Sequence, residues 1–219
     1  MDAIEFWRWA HILLFVFWLG ADVGVFLCGS WSRREDLSVE QRMILLQASA
    51  VVDLWPRVSA ALMLPVGLML ARNWIPTLDG AWVAASWVVA IVWLVLMFVG
   101  MRHMGKPLGA TLQQVTNVLL VVLSIVCFAG GWMWLQSEYS PGAWLAGKLA
   151  LYGVVCLLAI GIDLMFRPVI QGFMLLPDAA QRTQANQVIR AGMNRTLMVV
   201  GALYAVLVVA SWLGVAKPA

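Results

Sequence analysis

The sequence predicts an all-α integral membrane protein. It reads as one domain over residues 1–219, a bundle of six transmembrane helices with both termini on the non-cytoplasmic side. Three observations carry this. First, 63% of the 219 residues are hydrophobic and 11% are charged, against about 45–50% and about 25% in an average soluble domain. A folded chain of this size has too little interior to hide so much apolar side chain, and the mean hydropathy is +0.89. Second, an apolar run of spanning length, about 20 residues, recurs six times. Third, basic residues collect at alternate joints between the runs. The composition argues against a disordered chain. It also argues against a nucleic-acid module, although the net charge is +3, because the arginines and lysines sit between apolar segments and set orientation.

The spans fall at about 5–28, 44–71, 81–101, 111–136, 143–166 and 192–214 on the length criterion. Their runs are continuous rather than alternating, which argues against membrane strands. The first begins Met1-Asp2-Ala3-Ile4-Glu5. A secretory signal needs a basic start, so this acidic one predicts a retained helix. The second holds Pro56 and Pro65. Proline removes an N–H and crowds the preceding turn, so a kink is expected at Pro56 and a second break at Pro65. Asn73-Trp74-Ile75-Pro76, Gly105-Lys106-Pro107 and Ser140-Pro141-Gly142 make the short joints. The joint over about 167–191 is polar and is expected to hold a short surface helix. Cys28, Cys127 and Cys156 lie far apart with no CxxC pair, so neither a disulfide framework nor a zinc site is indicated.

Arg33, Arg34 and Arg42 mark the first joint, Arg102 and Lys106 the third, and Arg167, Arg182, Arg190 and Arg195 the fifth. Arg8, Arg72 and Lys217 stand on the other side among Asp2, Glu5, Asp79 and Glu138. This bias places the odd-numbered joints in the cytoplasm of a bacterial inner membrane and both ends outside.

Ionisable groups inside hydrocarbon are costly and call for an explanation. At about 100° per residue, His11, Trp18 and Asp22 share one face of the first span, with Phe15 beside them. Lys148, Tyr152, Ala159 and Asp163 form a similar stripe on the fifth. His11 and Lys148 each lie about six residues inside, a depth of roughly 9 Å. They define an outer polar layer. Asp22, Asp53, Arg57, Asp163, Gln114 and Asn194 define an inner one, with Asp53 and Arg57 an i,i+4 pair. Two readings of the inner layer stand side by side: an ion-pair network that fixes helix register, and a proton or cofactor-carboxylate site in which Arg57 clamps a propionate or a quinone carbonyl.

His11 is the one histidine inside a span, and neutral imidazole ligates haem iron or copper. Phe15 and Trp18 are placed to wall a flat macrocycle. The plainer reading is a histidine hydrogen-bonded to a neighbouring helix. His103, in Met101-Arg102-His103-Met104, lies at the opposite membrane face, which argues against a bis-histidine haem. Together with Cys28 those residues suit Cu(I), or are simply solvated loop and packing side chains.

Two patterns carry a family resemblance. His11-Ile-Leu-Leu-Phe-Val-Phe-Trp18-Leu-Gly20 is an H-x6-W-x-G motif in an N-terminal span. Gly142-Ala-Trp-Leu-Ala-Gly-Lys148-Leu-Ala-Leu opens a later one. Together, over about a fifth of the chain, they resemble the CopD-like membrane proteins and the related HemJ-type protoporphyrinogen oxidase family. The resemblance implies a small polytopic inner-membrane protein. In the HemJ-type branch it implies b-type haem, with His11 and Lys148 as the positions carried over. In the CopD branch it implies copper handling. Asp53-Leu-Trp-Pro56-Arg57 departs from the pattern, so no exact activity is carried over.

Three functions follow as expectations. The first is a haem-dependent membrane oxidoreductase: His11 is the axial ligand, Lys148 a second ligand or substrate partner, Phe15, Trp18 and Arg57 complete the cofactor site, and Lys148, Asp53 and Arg57 do the chemistry. Its electron partner is quinone or another membrane redox protein. The second is a copper-handling protein or small-solute transporter built on the Pro-broken second span. The third is a non-catalytic subunit of a larger complex. Small residues from Gly192 to Gly201 offer helix contacts within the chain or to a second copy.

Overall fold

The computed structural model describes residues 2–75, 78–136 and 142–217; Pro76, Glu138, Ser140 and Pro141 lie outside them. Seven helices follow in order among the described residues: α1 (Ala3–Ser32), α2 (Val39–Val52), α3 (Leu54–Ala71), α4 (Gly80–Arg102), α5 (Pro107–Gln136), α6 (Ala143–Leu175) and α7 (Arg182–Ala216). Six segments are long and apolar enough to cross a membrane, with α2 and α3 together forming the one over Val39–Ala71. The start of α1 and the end of α7 therefore lie at the same end of the bundle, here the terminal end. The opposite end is rich in arginine.

Local chemistry starts these helices. Glu5 accepts from the Asp2 N–H at 3.2 Å ahead of α1. Before α2, Ser38 Oγ accepts from the Gln41 N–H at 3.2 Å while Gln41 accepts from the Ser38 N–H at 2.9 Å, a reciprocal capping box. Asp79 accepts from the Ala81 N–H at 3.0 Å to start α4. Pro107 stands at the first position of α5, where its missing N–H has no partner to lose. The turn before it uses Gly105 at φ +79°, a conformation glycine takes without strain.

The break between α2 and α3 falls at Asp53, just before the expected kink at Pro56. A proline at position i deprives the carbonyl at i−4 of its donor and crowds it; for Pro56 that carbonyl is Val52, the last residue of α2. Pro65 does not break its helix as expected: α3 runs through it, and Pro65 is fully buried. Membrane helices tolerate such a proline where neighbouring elements absorb the distortion. The surface helix expected over about 167–191 is replaced by direct extension of both neighbours. α6 continues to Leu175, through Pro168, and α7 starts at Arg182.

α6 packs most extensively on α7 and then on α5, while α1 packs on α3 and α2. One apolar core joins Trp18, Ala61, Trp93, Leu120, Cys156 and Leu203 in the middle of the bundle. A second lies at the arginine-rich end, where Val169, Phe173 and Leu176 of the α6 side meet Ala185, Ile189 and Met193 of α7. Arg42 is buried beside this second core, donating to Ser32 O and Asn186 Oδ1 at 2.8 Å each and lying 5.7 Å from the centre of the Phe173 ring. The outside of the bundle presents large apolar side chains such as Val95, Val118, Ile125 and Val208, the surface a bilayer requires.

In the middle of the bundle the Tyr152 hydroxyl donates to Ala60 O at 2.8 Å, a buried bond that ties α6 to α3. Tyr152→Phe removes the donor and keeps the ring. It is expected to lower stability by about 0.5–1.5 kcal/mol, seen as an earlier thermal midpoint of the detergent-solubilised protein.

Candidate functional site

A cavity of about 600 Å³ opens at the terminal end of the bundle, within the size range of small-molecule and cofactor sites. α1 brings Arg8, His11, Phe15 and Trp18 to it. α3 brings Met63 and Gly67, α6 brings Trp144, Lys148 and Tyr152, and α7 brings Ser211 and Gly214. His11 and Lys148, distant in sequence and placed at one depth by helix arithmetic, thus line the same space. Trp18, 3% exposed, belongs to the central core and closes the floor.

Two glycines shape the walls. A Cβ on Gly67 would stand 3.5 Å from His11 Cε1, so the imidazole packs closely against α3. A Cβ on Gly214 would stand 2.7 Å from Lys148 Nζ, so the ammonium rests on bare α7 backbone. His11 Nδ1 is buried without a hydrogen-bond partner among the described residues, which a protein interior seldom leaves unexplained. The described lining carries the cations Arg8, Lys148 and Lys217 and no carboxylate. The Lys217 ammonium sits 4.4 Å from the centre of the Trp74 ring and 5.8 Å from that of Trp144, held at the mouth by aromatic faces. Such a space, mostly apolar with cations in its lining, suits an apolar body that carries an anionic group.

Asp53 and Arg57, expected at the cofactor site, do not line this cavity. Arg57 precedes Met63 by six positions on α3, about 9 Å along the axis. Its guanidinium instead bonds Asp53 at 2.5 Å, with side-chain exposures of 45% and 24%. It also lies within electrostatic reach of Asp163 and Asp22.

The inner layer is therefore smaller than its sequence outline. Asp163 pairs within its own helix with Arg167 at 3.0 Å. Gln114 is exposed on the outside of α5, which packs against α4 and α6 alone among the larger helix contacts. Asn194 accepts from Arg33 at the arginine-rich end. Asp22 remains, 6% exposed, with Oδ2 buried and unpartnered among the described residues. It lies one helical turn, about 6 Å, below Trp18, and its backbone carbonyl accepts from the Tyr204 hydroxyl at 2.9 Å.

Sequence reasoning missed Arg8 and Lys217 as cavity residues, counting them only as orienting charges. It also missed Gly67 and Gly214, whose part shows only once a neighbouring helix is in place. His103 Nδ1 lies 2.9 Å from Val99 O on its own helix. Among the described residues no three His, Cys, Asp or Glu side chains gather as a metal site. No protein-family model matches the chain, and no curated protein or solved structure is significantly similar to it.

Proposed function

We propose that the chain is a haem-associated membrane redox protein of the CopD/HemJ-like type in a bacterial inner membrane, with the terminal end outside. The observation that carries this reading is the His11 imidazole, set in an aromatic-walled cavity with Nδ1 unpartnered and with cations but no carboxylate around it. The residues fit the group: imidazole suits the iron, Phe15, Trp18 and Trp144 suit a planar ring, and Arg8, Lys148 and Lys217 suit its two carboxylates. Bound there, haem supplies one-electron chemistry. His11 would hold its iron. Lys148 holds an anionic edge of cofactor or substrate against α7. Trp18 keeps the pocket closed to the inner half. Asp22 lies directly beneath, and the Asp53–Arg57 ion pair stands toward the arginine-rich end. Quinone or another membrane redox protein takes or gives the electrons.

The absorption spectrum of the detergent-purified protein tests this. A Soret band is expected, as isolated or after adding haem, and His11→Ala is expected to abolish it or shift it strongly. Lys148→Ala is expected to retain a band with weakened haem affinity. No band after reconstitution, or a band unchanged in His11→Ala, overturns the reading. The charged break at Asp53 favours one other function, transport through a discontinuous helix; bound copper without haem on metal analysis would support that instead.

A further inference from the structure

The contacts that tie α1 to α7 cluster in one half of the bundle. The Tyr204 hydroxyl donates to Asp22 O at 2.9 Å, the Phe26 and Tyr204 rings lie 6.1 Å apart, Gly29 packs on Met193, and Arg33 donates to Asn194. These fall at residues 22–33, the last turns of α1 and the residue after it, and at 193–204 of α7. Toward the terminal end the two helices instead stand on either side of the cavity. Ile4 and Ile12 of α1 and Val215 of α7 line it while being 40%, 56% and 86% exposed. The rim of the gap is thus apolar at Ile4, Ile12 and Val215, with the exposed Arg8 between the two isoleucines on α1. Ile12 lies nine positions into a spanning helix, so the gap reaches about 14 Å along α1, well into hydrocarbon depth.

We propose that this gap is a lateral portal, through which the cavity takes an amphiphilic carboxylate directly from the leaflet at the terminal end. The cations Arg8 and Lys217 stand where the cavity meets the terminal end, but a soluble anion needs no opening at hydrocarbon depth, and the gap runs down α1 to the apolar, exposed Ile12. A purely apolar guest would leave the cations Arg8 and Lys148 without a counter-charge inside the cavity. An apolar body with a carboxylate head answers both: the body passes the rim within the bilayer, and the head comes to rest on Lys148 against Gly214. The inference shares the cavity with the haem reading and does not depend on iron.

Photolabelling tests it. The protein, reconstituted in phosphatidylcholine vesicles, is exposed to a long-chain fatty acid carrying a diazirine in its chain, and adducts are mapped by mass spectrometry. Adducts are expected on Ile12, Phe15 or Val215 in excess over the outer surface at Val95 and Ile125. The excess is expected to fall at least tenfold with the methyl ester of the probe and in Lys148→Ala, and to return in Lys148→Arg. Ile12→Trp paired with Val215→Trp narrows the rim and is expected to slow labelling of Phe15 while leaving labelling at Val95 unchanged. Uniform labelling over the apolar surface, equal labelling by acid and ester, or unchanged labelling in the rim variant would overturn the portal. A missing Soret band with this labelling pattern intact would sink the haem reading alone.

Discussion

Gly192→Leu is expected to separate α6 from α7 and to destroy the arginine-rich end of the bundle. A Cβ at Gly192 would stand 2.8 Å from Val169 Cγ2, closer than folded proteins allow. The contact is reciprocated one turn away, where a Cβ at Gly172 on α6 would stand 2.7 Å from Ile189 Cγ1 and 3.2 Å from Ala185 O on α7. Val169 and Ile189 are both wholly buried, so neither can swing aside. Small residues that let the two backbones meet make room for this crossing. Overpacking alone costs about 1–3 kcal/mol. Here the added side chain also pries apart the most extensive helix contact in the fold, so the upper end of that range is expected. The measurement is the temperature at which the monodisperse detergent-solubilised protein is lost on size exclusion, with Gly201→Ala as control. Gly201 has open space where its Cβ would go and is expected to match the parent. An unchanged midpoint for Gly192→Leu would mean that α6 and α7 do not meet at this crossing.

The same crossing shows what could and could not be read in advance. Hydropathy found six spans because lipid demands continuous apolar runs, and the membrane-spanning helical architecture is present as expected. It placed the start of the last span at about residue 192 on the length criterion, whereas α7 starts at Arg182. The missed turns are polar on most sides, yet Ala185, Ile189 and Met193 form a buried stripe at helical spacing. Periodicity carries that signal; a hydropathy average erases it. Depth was legible too, since rise per residue is fixed, and it brought His11 and Lys148 to one level. Which helices neighbour one another was not. Arg57 was assigned to the cofactor by its charge, and only the packing of α3 on α1 shows that Met63 and Gly67 occupy the cavity while Arg57 stands a turn and a half lower. Gln114 failed for a related reason: its helix position is polar, but nothing local says which side faces out.

Removing either partner of the Asp53–Arg57 pair is expected to destabilise the protein, and removing both is expected to restore much of the loss. The pair closes the break that Pro56 forces after Val52, with Arg57 N–H also donating to Asp53 O at 3.3 Å. In Asp53→Leu the guanidinium keeps its charge at a depth where an unpaired one costs about 2.5–3.5 kcal/mol. Arg57→Leu leaves Asp53 uncompensated within electrostatic reach of Asp22, while Asp163 keeps Arg167. Asp53→Leu with Arg57→Leu buries two apolar groups instead, and exchanging an ion pair for apolar packing is often neutral or favourable. Thermal midpoints of the two single variants and the double, combined as a cycle, measure the coupling. If the pair only fixes helix register, the double variant also keeps whatever redox turnover the parent shows. If it holds protons for the outer cavity, the double variant is stable and slow. A double variant no more stable than the worse single one would show that Asp22 and Asp163, rather than Asp53, supply the charge that Arg57 balances.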